Sequence, residues 1–221
     1  MSASFKFRSK IALGHPLLWL ENPPTKFQSK RLISSKIMDH WEQKLRSEAA
    51  ELSSLKYFKP EFMSLETAHP LWWTAGSNCY EISKAVIQSQ MLSGRYRTGL
   101  LCSKWKSANV SNSCPFPHCN KVESLEHILV DCSAYSDLRA DLIDSWSDIN
   151  ISLMGFMARV LVSPKDQKVQ FLLDPSCLPV VIKHCNEYGK DEIMPLFAFR
   201  RTWCYKIHKH RLKQLKSVKK L

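Results

Sequence analysis

The chain has 221 residues, 44% hydrophobic and 10% aromatic, so it can bury a core in one or two small domains and is too apolar for a disordered tail. Its formal charge of +12, from 32 Lys and Arg against 20 Asp and Glu, points to a polyanionic partner, nucleic acid before membrane. No apolar run approaches the ~20 residues of a bilayer-spanning helix, and six glycines are few for a fold of tight β-turns, so a mostly α-helical, intracellular protein is expected.

Residues 1–36 are basic, broken by Pro16, Pro23 and Pro24, and read as an irregular lead-in. The apolar stretch 11–20 follows three cations, but His15-Pro16 interrupts it and no clean cleavage site follows, which argues against a signal peptide. From Met38 the pattern turns helical, with Trp41, Leu45, Leu52 and Leu55 near one face. Pro60 and Pro70 bracket a connector ending in Leu71-Trp72-Trp73, where the paired tryptophans read as a packed core corner. A second helix is expected over 77–93, with Ile82 and Val86 on one side, Tyr80, Ile87 and Met91 on another, and Gly94 as its C-terminal stop. Next come Arg95, Arg97, Lys104 and Lys106, interleaved with Tyr96 and Trp105. Such an alternation grips phosphates while rings stack on bases, or else is a solvated helix end with both rings turned inward.

The middle of the chain holds Cys114, Cys119, His127 and Cys132 in a Cys-x4-Cys-x7-His-x4-Cys array. Three thiolates and an imidazole at this spacing are a structural zinc set, and four protein ligands close the coordination sphere to water and substrate. Pro115 and Pro117 turn the chain between the first two cysteines, and Ser124 is placed to cap a short helix carrying His127 and ending at Cys132. His118 is a substitute ligand in principle, and Glu123, Glu126 and Asp131 are expected to face solvent. The remaining cysteines, Cys79, Cys102, Cys177, Cys185 and Cys204, read as small buried hydrophobes in a reducing compartment.

Beyond the array, Tyr135, Leu138, Leu142, Ile143 and Trp146 recur at helical spacing, a further helix is expected over 149–162, and Asp174-Pro175-Ser176 marks a turn. Residues 178–188 read as a helix with Pro179 in its first turn, and 191–216 as a long terminal helix with an apolar stripe. From Arg200 onward there are nine Lys or Arg and no acid, more than helix-dipole compensation requires. Arg200, Arg201, Lys206, Lys209, Arg211, Lys213 and Lys216 are therefore candidate phosphate contacts. The organisation expected is a lead-in (1–36), a helical linker (37–108), a zinc knuckle (109–135) and a helical tail with a basic arm (136–221).

These residues also resemble a known family. The run Gln90-Met91-Leu92-Ser93-Gly94-Arg95-Tyr96-Arg97-Thr98, Trp105, the segment Cys114 to Cys119, and Ser124-Leu125-Glu126-His127-Ile128-Leu129 with Cys132 look like the carboxy-terminal region of non-long-terminal-repeat (LINE-like) retrotransposon reverse transcriptases. Phe171-Leu172-Leu173-Asp174-Pro175 and Arg200-Arg201-Thr202-Trp203-Cys204, with His208 and Arg211, extend the likeness from about residue 36 onward. The resemblance implies that Cys114, Cys119, His127 and Cys132 hold zinc in a knuckle that helps grip RNA or DNA during target-primed reverse transcription, beside a reverse transcriptase partner. The x4 gap between the first two cysteines is longer than the family's usual two or three. The family's Tyr-x-Asp-Asp hairpin does not occur, nor does its endonuclease, so the chain is expected to be no enzyme, acting in the nucleus or cytoplasm. Three rival readings remain: a zinc-organised protein-docking module whose basic tail is a nuclear-import signal, a severed part of an active reverse transcriptase that works with another subunit, and an element remnant without a selected role.

Overall fold

The computed structural model describes residues 23–59, 68–104, 111–117, 119–147, 158–160, 162–188 and 194–218. The candidates Lys106, Trp105 and His118, and most of the helix expected over 149–162, lie outside them. The fold is mostly α, and among the described residues the one β feature is an isolated antiparallel bridge between Ser113 and Val122.

Helix α1 (Lys26–Glu51) begins twelve residues before the helical pattern expected from Met38, so residues 26–36 are not irregular. Thr25 and Gln28 form a capping box in which the Thr25 hydroxyl accepts from the Gln28 amide while the Gln28 side chain accepts from the Thr25 amide. That start is local, and the Ser29 hydroxyl adds a bond to the Pro24 carbonyl at 3.4 Å. No residue of α1 is buried.

The next helix, α2 (Pro70–Trp73), is a single turn capped by His69. Positions four apart share a face, so Leu71 and Ala75 turn in together onto Ala85. Trp72 and Trp73 point out and are 41% and 45% exposed, which overturns the core-corner expectation. Helix α3 (Cys79–Leu92) buries Lys84, Ala85, Gln88, Met91 and Leu92, leaving Ile82 and Val86 on its outer side. It ends in a Schellman turn: the Arg95 amide bonds to the Gln90 carbonyl and the Gly94 amide to the Met91 carbonyl, with Gly94 at φ +67°. A short helix α4 (Gly99–Lys104) follows.

After the cysteine-rich segment come α5 (Ser136–Ser147), α6 (Lys165–Leu173), α7 (Pro179–Tyr188) and α8 (Met194–Val218). Helix α8 is the spine: α2, α3, α5, α6 and the turn bearing His127 all pack on it. Its inward face reads Leu196, Arg200, Trp203, Cys204, Ile207 and Arg211, the i, i+3, i+4, i+7 pattern of a helix covered on one side. The last carbonyls of α6 lack helical partners and receive donors from two neighbours instead. Gln88 Nε2 donates to Leu172 and Leu173, both at 2.9 Å, and Arg200 Nη1 donates to Phe171 at 3.3 Å. Of the scattered thiols only Cys204 is buried among the described residues, and Cys79 is exposed. No described helix is long and apolar enough to cross a membrane.

Candidate metal centre and basic surface

Two local structures bring the four ligands together. In the first, Cys114 donates its amide to the Lys121 carbonyl at 2.8 Å and Glu123 donates to the Asn112 carbonyl at 2.8 Å, closing a hairpin around the Ser113–Val122 bridge. Its tip, through Pro115 and Pro117, turns so that the Cys119 amide reaches the Phe116 carbonyl. In the second, the Ser124 hydroxyl accepts from the His127 amide at 3.1 Å and starts the expected short helix. That helix widens into a π-turn (His127–Asp131), with the Cys132 amide bonded to the His127 carbonyl at 2.8 Å. The wider turn sets Cys132 on the same side as His127.

The ligand atoms of Cys114, Cys119, His127 and Cys132 all lie within 4.8 Å of one another and form a group that could hold a metal ion. Cys114 and Cys132 sulfurs are 3.7 Å apart, Cys119 and Cys132 sulfurs 4.0 Å, and Cys119 Sγ is 3.3 Å from His127 Nε2. A tetrahedron with metal–sulfur bonds of about 2.3 Å has edges of about 3.8 Å, so these separations fit four-coordination with little movement. Burial pushes the Cys114 thiol up to about 12, with the neighbouring Cys132 sulfur adding to it, and burial likewise raises Cys132. Amides two residues on, from Phe116 and Ala134, point at these sulfurs and work the other way, toward thiolate. Burial lowers His127, which keeps its imidazole neutral, the form that ligates. A divalent cation held among the sulfurs would supply the charge that makes all three thiolates favourable.

The surroundings lock this knuckle to the helices. Glu123 is buried rather than solvent-facing, because Arg211 binds it through two bonds, Nε–Oε1 at 2.6 Å and Nη2–Oε2 at 2.7 Å, and the Gly99 amide donates to Oε2. Glu126 is half-buried and accepts from the Tyr57 hydroxyl at 2.9 Å, while Asp131 is exposed and pairs with Lys165. Arg139 Nη2 donates to the Cys132 carbonyl at 2.7 Å. Phe116 meets Tyr135 edge-on at 4.9 Å between centroids and stacks on His210 of α8 at 5.8 Å.

The candidate phosphate contacts divide into two groups. Arg95, Arg97 and Lys104 are exposed, and so are Lys206, Lys209, Lys213 and Lys216. At 100° per residue those four lysines fall within an arc of about 80° on α8, roughly opposite its buried face. Arg200, Arg201 and Arg211 are buried, which removes them from the phosphate-binding set. Arg200 is fully enclosed, lies 4.4 Å from the Phe197 ring, and burial pulls it down to about 9. Arg201 holds Glu81 with two bonds of 3.1 and 3.2 Å and the Thr74 carbonyl at 3.1 Å. Burial acts to lower Arg211, but its bonds to Glu123 outweigh this and hold it above its ordinary value. Lys121, exposed on the knuckle hairpin, adds a cation outside the arm. Tyr96, between the two exposed arginines, turns inward, its hydroxyl 3.0 Å from His208 Nδ1, so it packs the loop and is not a stacking platform. No protein-family model, curated protein or solved structure matches the chain.

Proposed function

We propose that this chain is a zinc-stapled, non-catalytic nucleic-acid-binding protein, similar in role to the carboxy-terminal region of LINE-like reverse transcriptases. The observation that carries the reading is the pairing of two features on one scaffold. A closed ligand set of three cysteines and one histidine sits against α8, and the outer face of the same helix presents four aligned lysines. Three sulfurs and one nitrogen in a tetrahedron select Zn2+ among common divalent ions. Four filled positions leave none for substrate, so the metal shapes the protein and does no chemistry. The lysines, with Arg95, Arg97, Lys104 and Lys121, supply charge for a phosphate backbone, and the resemblance favours RNA or DNA over other polyanions. A reverse transcriptase is the natural companion on that reading.

Single-stranded RNA binding measured across salt tests this. Each phosphate contact contributes about −0.7 to the slope of log affinity against log salt. Replacing Lys206, Lys209, Lys213 and Lys216 together by Glu is expected to make that slope shallower by roughly 3 while the metal content stays unchanged. Undetectable or salt-independent binding to both RNA and duplex DNA would count against the proposal.

A further inference from the structure

Helix α1 is 26 residues long, buries none of them, and among the described elements packs chiefly on the turn at its own end. A helix of that length, about 39 Å, does not stay folded on intrinsic propensity alone and needs a covered apolar face. Its exposed apolar side chains are large: Phe27 is 75% and Trp41 54% exposed. With the half-buried Met38 and Leu45, and with Leu52 at the cap just past the last turn, they fall on alternating three- and four-residue steps, the a/d spacing of a coiled-coil seam, while Leu32, 40% exposed, lies off it. Arg31, Ser34 and Glu48 occupy the remaining positions of the same seam.

Charge is segregated along the helix. Between residues 26 and 36 lie Lys26, Lys30, Arg31 and Lys36 with no acid, whereas residues 39–51 hold Asp39, Glu42, Glu48 and Glu51 against Lys44 and Arg46. We infer that α1 is a dimerisation helix that pairs antiparallel with α1 of a second copy of this chain. A two-fold axis between residues 39 and 40 sets Met38 against the second copy's Trp41, Phe27 against its Leu52, Ser34 against its Leu45, and Arg31 against its Glu48. Every layer then joins an a position to a d position, and the seam's one cation meets its one anion. Parallel pairing sets Arg31 on Arg31 and Glu48 on Glu48, which is repulsive.

Sedimentation velocity of the full-length, metal-loaded chain across a wide concentration range is the test. The expected mass is twice the 25.6 kDa of one chain. Glu48→Lys is expected to weaken the dimer roughly tenfold or more, and adding Arg31→Glu to it to restore the dimer, since the swap exchanges the two charges across the seam. Circular dichroism checks that each variant keeps its helix content. A wild-type monomer at every concentration overturns the inference, whatever covers the helix in that monomer. So does a dimer indifferent to Glu48→Lys, the behaviour of a parallel seam or of another surface.

Discussion

Glu123 and Arg211, 88 residues apart in sequence, form a two-bond ion pair in which both side chains are almost wholly withdrawn from water. Glu123 leaves the knuckle hairpin and Arg211 comes from the last third of α8, so the pair fastens the candidate metal-binding segment to the helical spine. Its carboxylate also accepts the amide of Gly99, at the start of α4. Three separate chain segments therefore meet at one carboxylate. Removing one partner of a buried pair strands the other charge and costs about 3–5 kcal/mol. Arg211→Met is expected to destabilise the fold by that order in urea denaturation. The double variant Arg211→Met with Glu123→Gln is expected to lose less than the sum of the two single losses, because neither charge is then left alone. Additive losses would show that the two groups act independently.

The metal prediction follows from the same geometry. Three crowded sulfurs, two of them buried, cannot all ionise without a cation between them, so the ion and the knuckle are expected to fold together. Elemental analysis of the purified protein is expected to find one equivalent of zinc. Cobalt exchanged into the site is expected to show the intense visible absorption of a tetrahedral thiolate complex, and Cys132→Ala to abolish it. Cys119 is the least buried of the three cysteines and marks the side from which a chelator reaches the ion. Chelation is expected to remove the ellipticity of the Phe116–Tyr135–His210 cluster before α3 unfolds, since those rings pack against the knuckle. Retention of full structure in the metal-free protein would remove zinc from the account.

Much of this is legible in the chain itself because it is governed by local chemistry. Ser124 caps the helix of His127, Gly94 ends α3, and the four ligands converge as their spacing implies. What stays hidden depends on which face of a helix is covered. The basic arm reads as one surface along the sequence, yet Arg200, Arg201 and Arg211 share the turns of Leu196, Trp203 and Ile207 and go inward with them. Their partners, Phe171, Glu81 and Glu123, are 29, 120 and 88 residues away and no window along the sequence contains both members. The start of α1 is obscured by a different cause: Pro23 and Pro24 suggest broken structure, while the cap that starts the helix rests on Thr25 and Gln28 just beyond them.

Gly94 gives a backbone test. Its φ of +67° lies in the left-handed region, and a Cβ placed there collides with the Ser54 carbonyl oxygen. The left-handed conformation costs a non-glycine residue about 1–2 kcal/mol by itself. The oxygen belongs to backbone and has no rotamer to change, so the chain after α1 must also move. Gly94→Ala is expected to destabilise by more than about 2 kcal/mol in thermal or urea unfolding. Gly76, at φ +58° with open space within 4 Å of where its Cβ would lie, serves as the comparison, and Gly76→Ala is expected to cost only the conformational part.

Asp174, fully buried in the turn after α6, gives a test in acid. Burial acts to raise its carboxyl, but His69, whose Nε2 lies 3.4 Å from Oδ2, the Ser176 hydroxyl at 2.6 Å and the nearby Arg200 together hold it below the usual carboxylate range. A carboxyl that is more acidic folded than unfolded binds fewer protons in the native state. Its stabilisation is therefore complete above the unfolded value of about 4 and is lost as pH falls through the lower folded value. The wild-type stability curve is expected to decline below about pH 4 more steeply than that of Asp174→Asn, which starts lower at neutral pH but has no charge there to lose. Parallel acid limbs in the two proteins would mean that Asp174 contributes no charge-dependent stability and that the decline arises at other carboxylates.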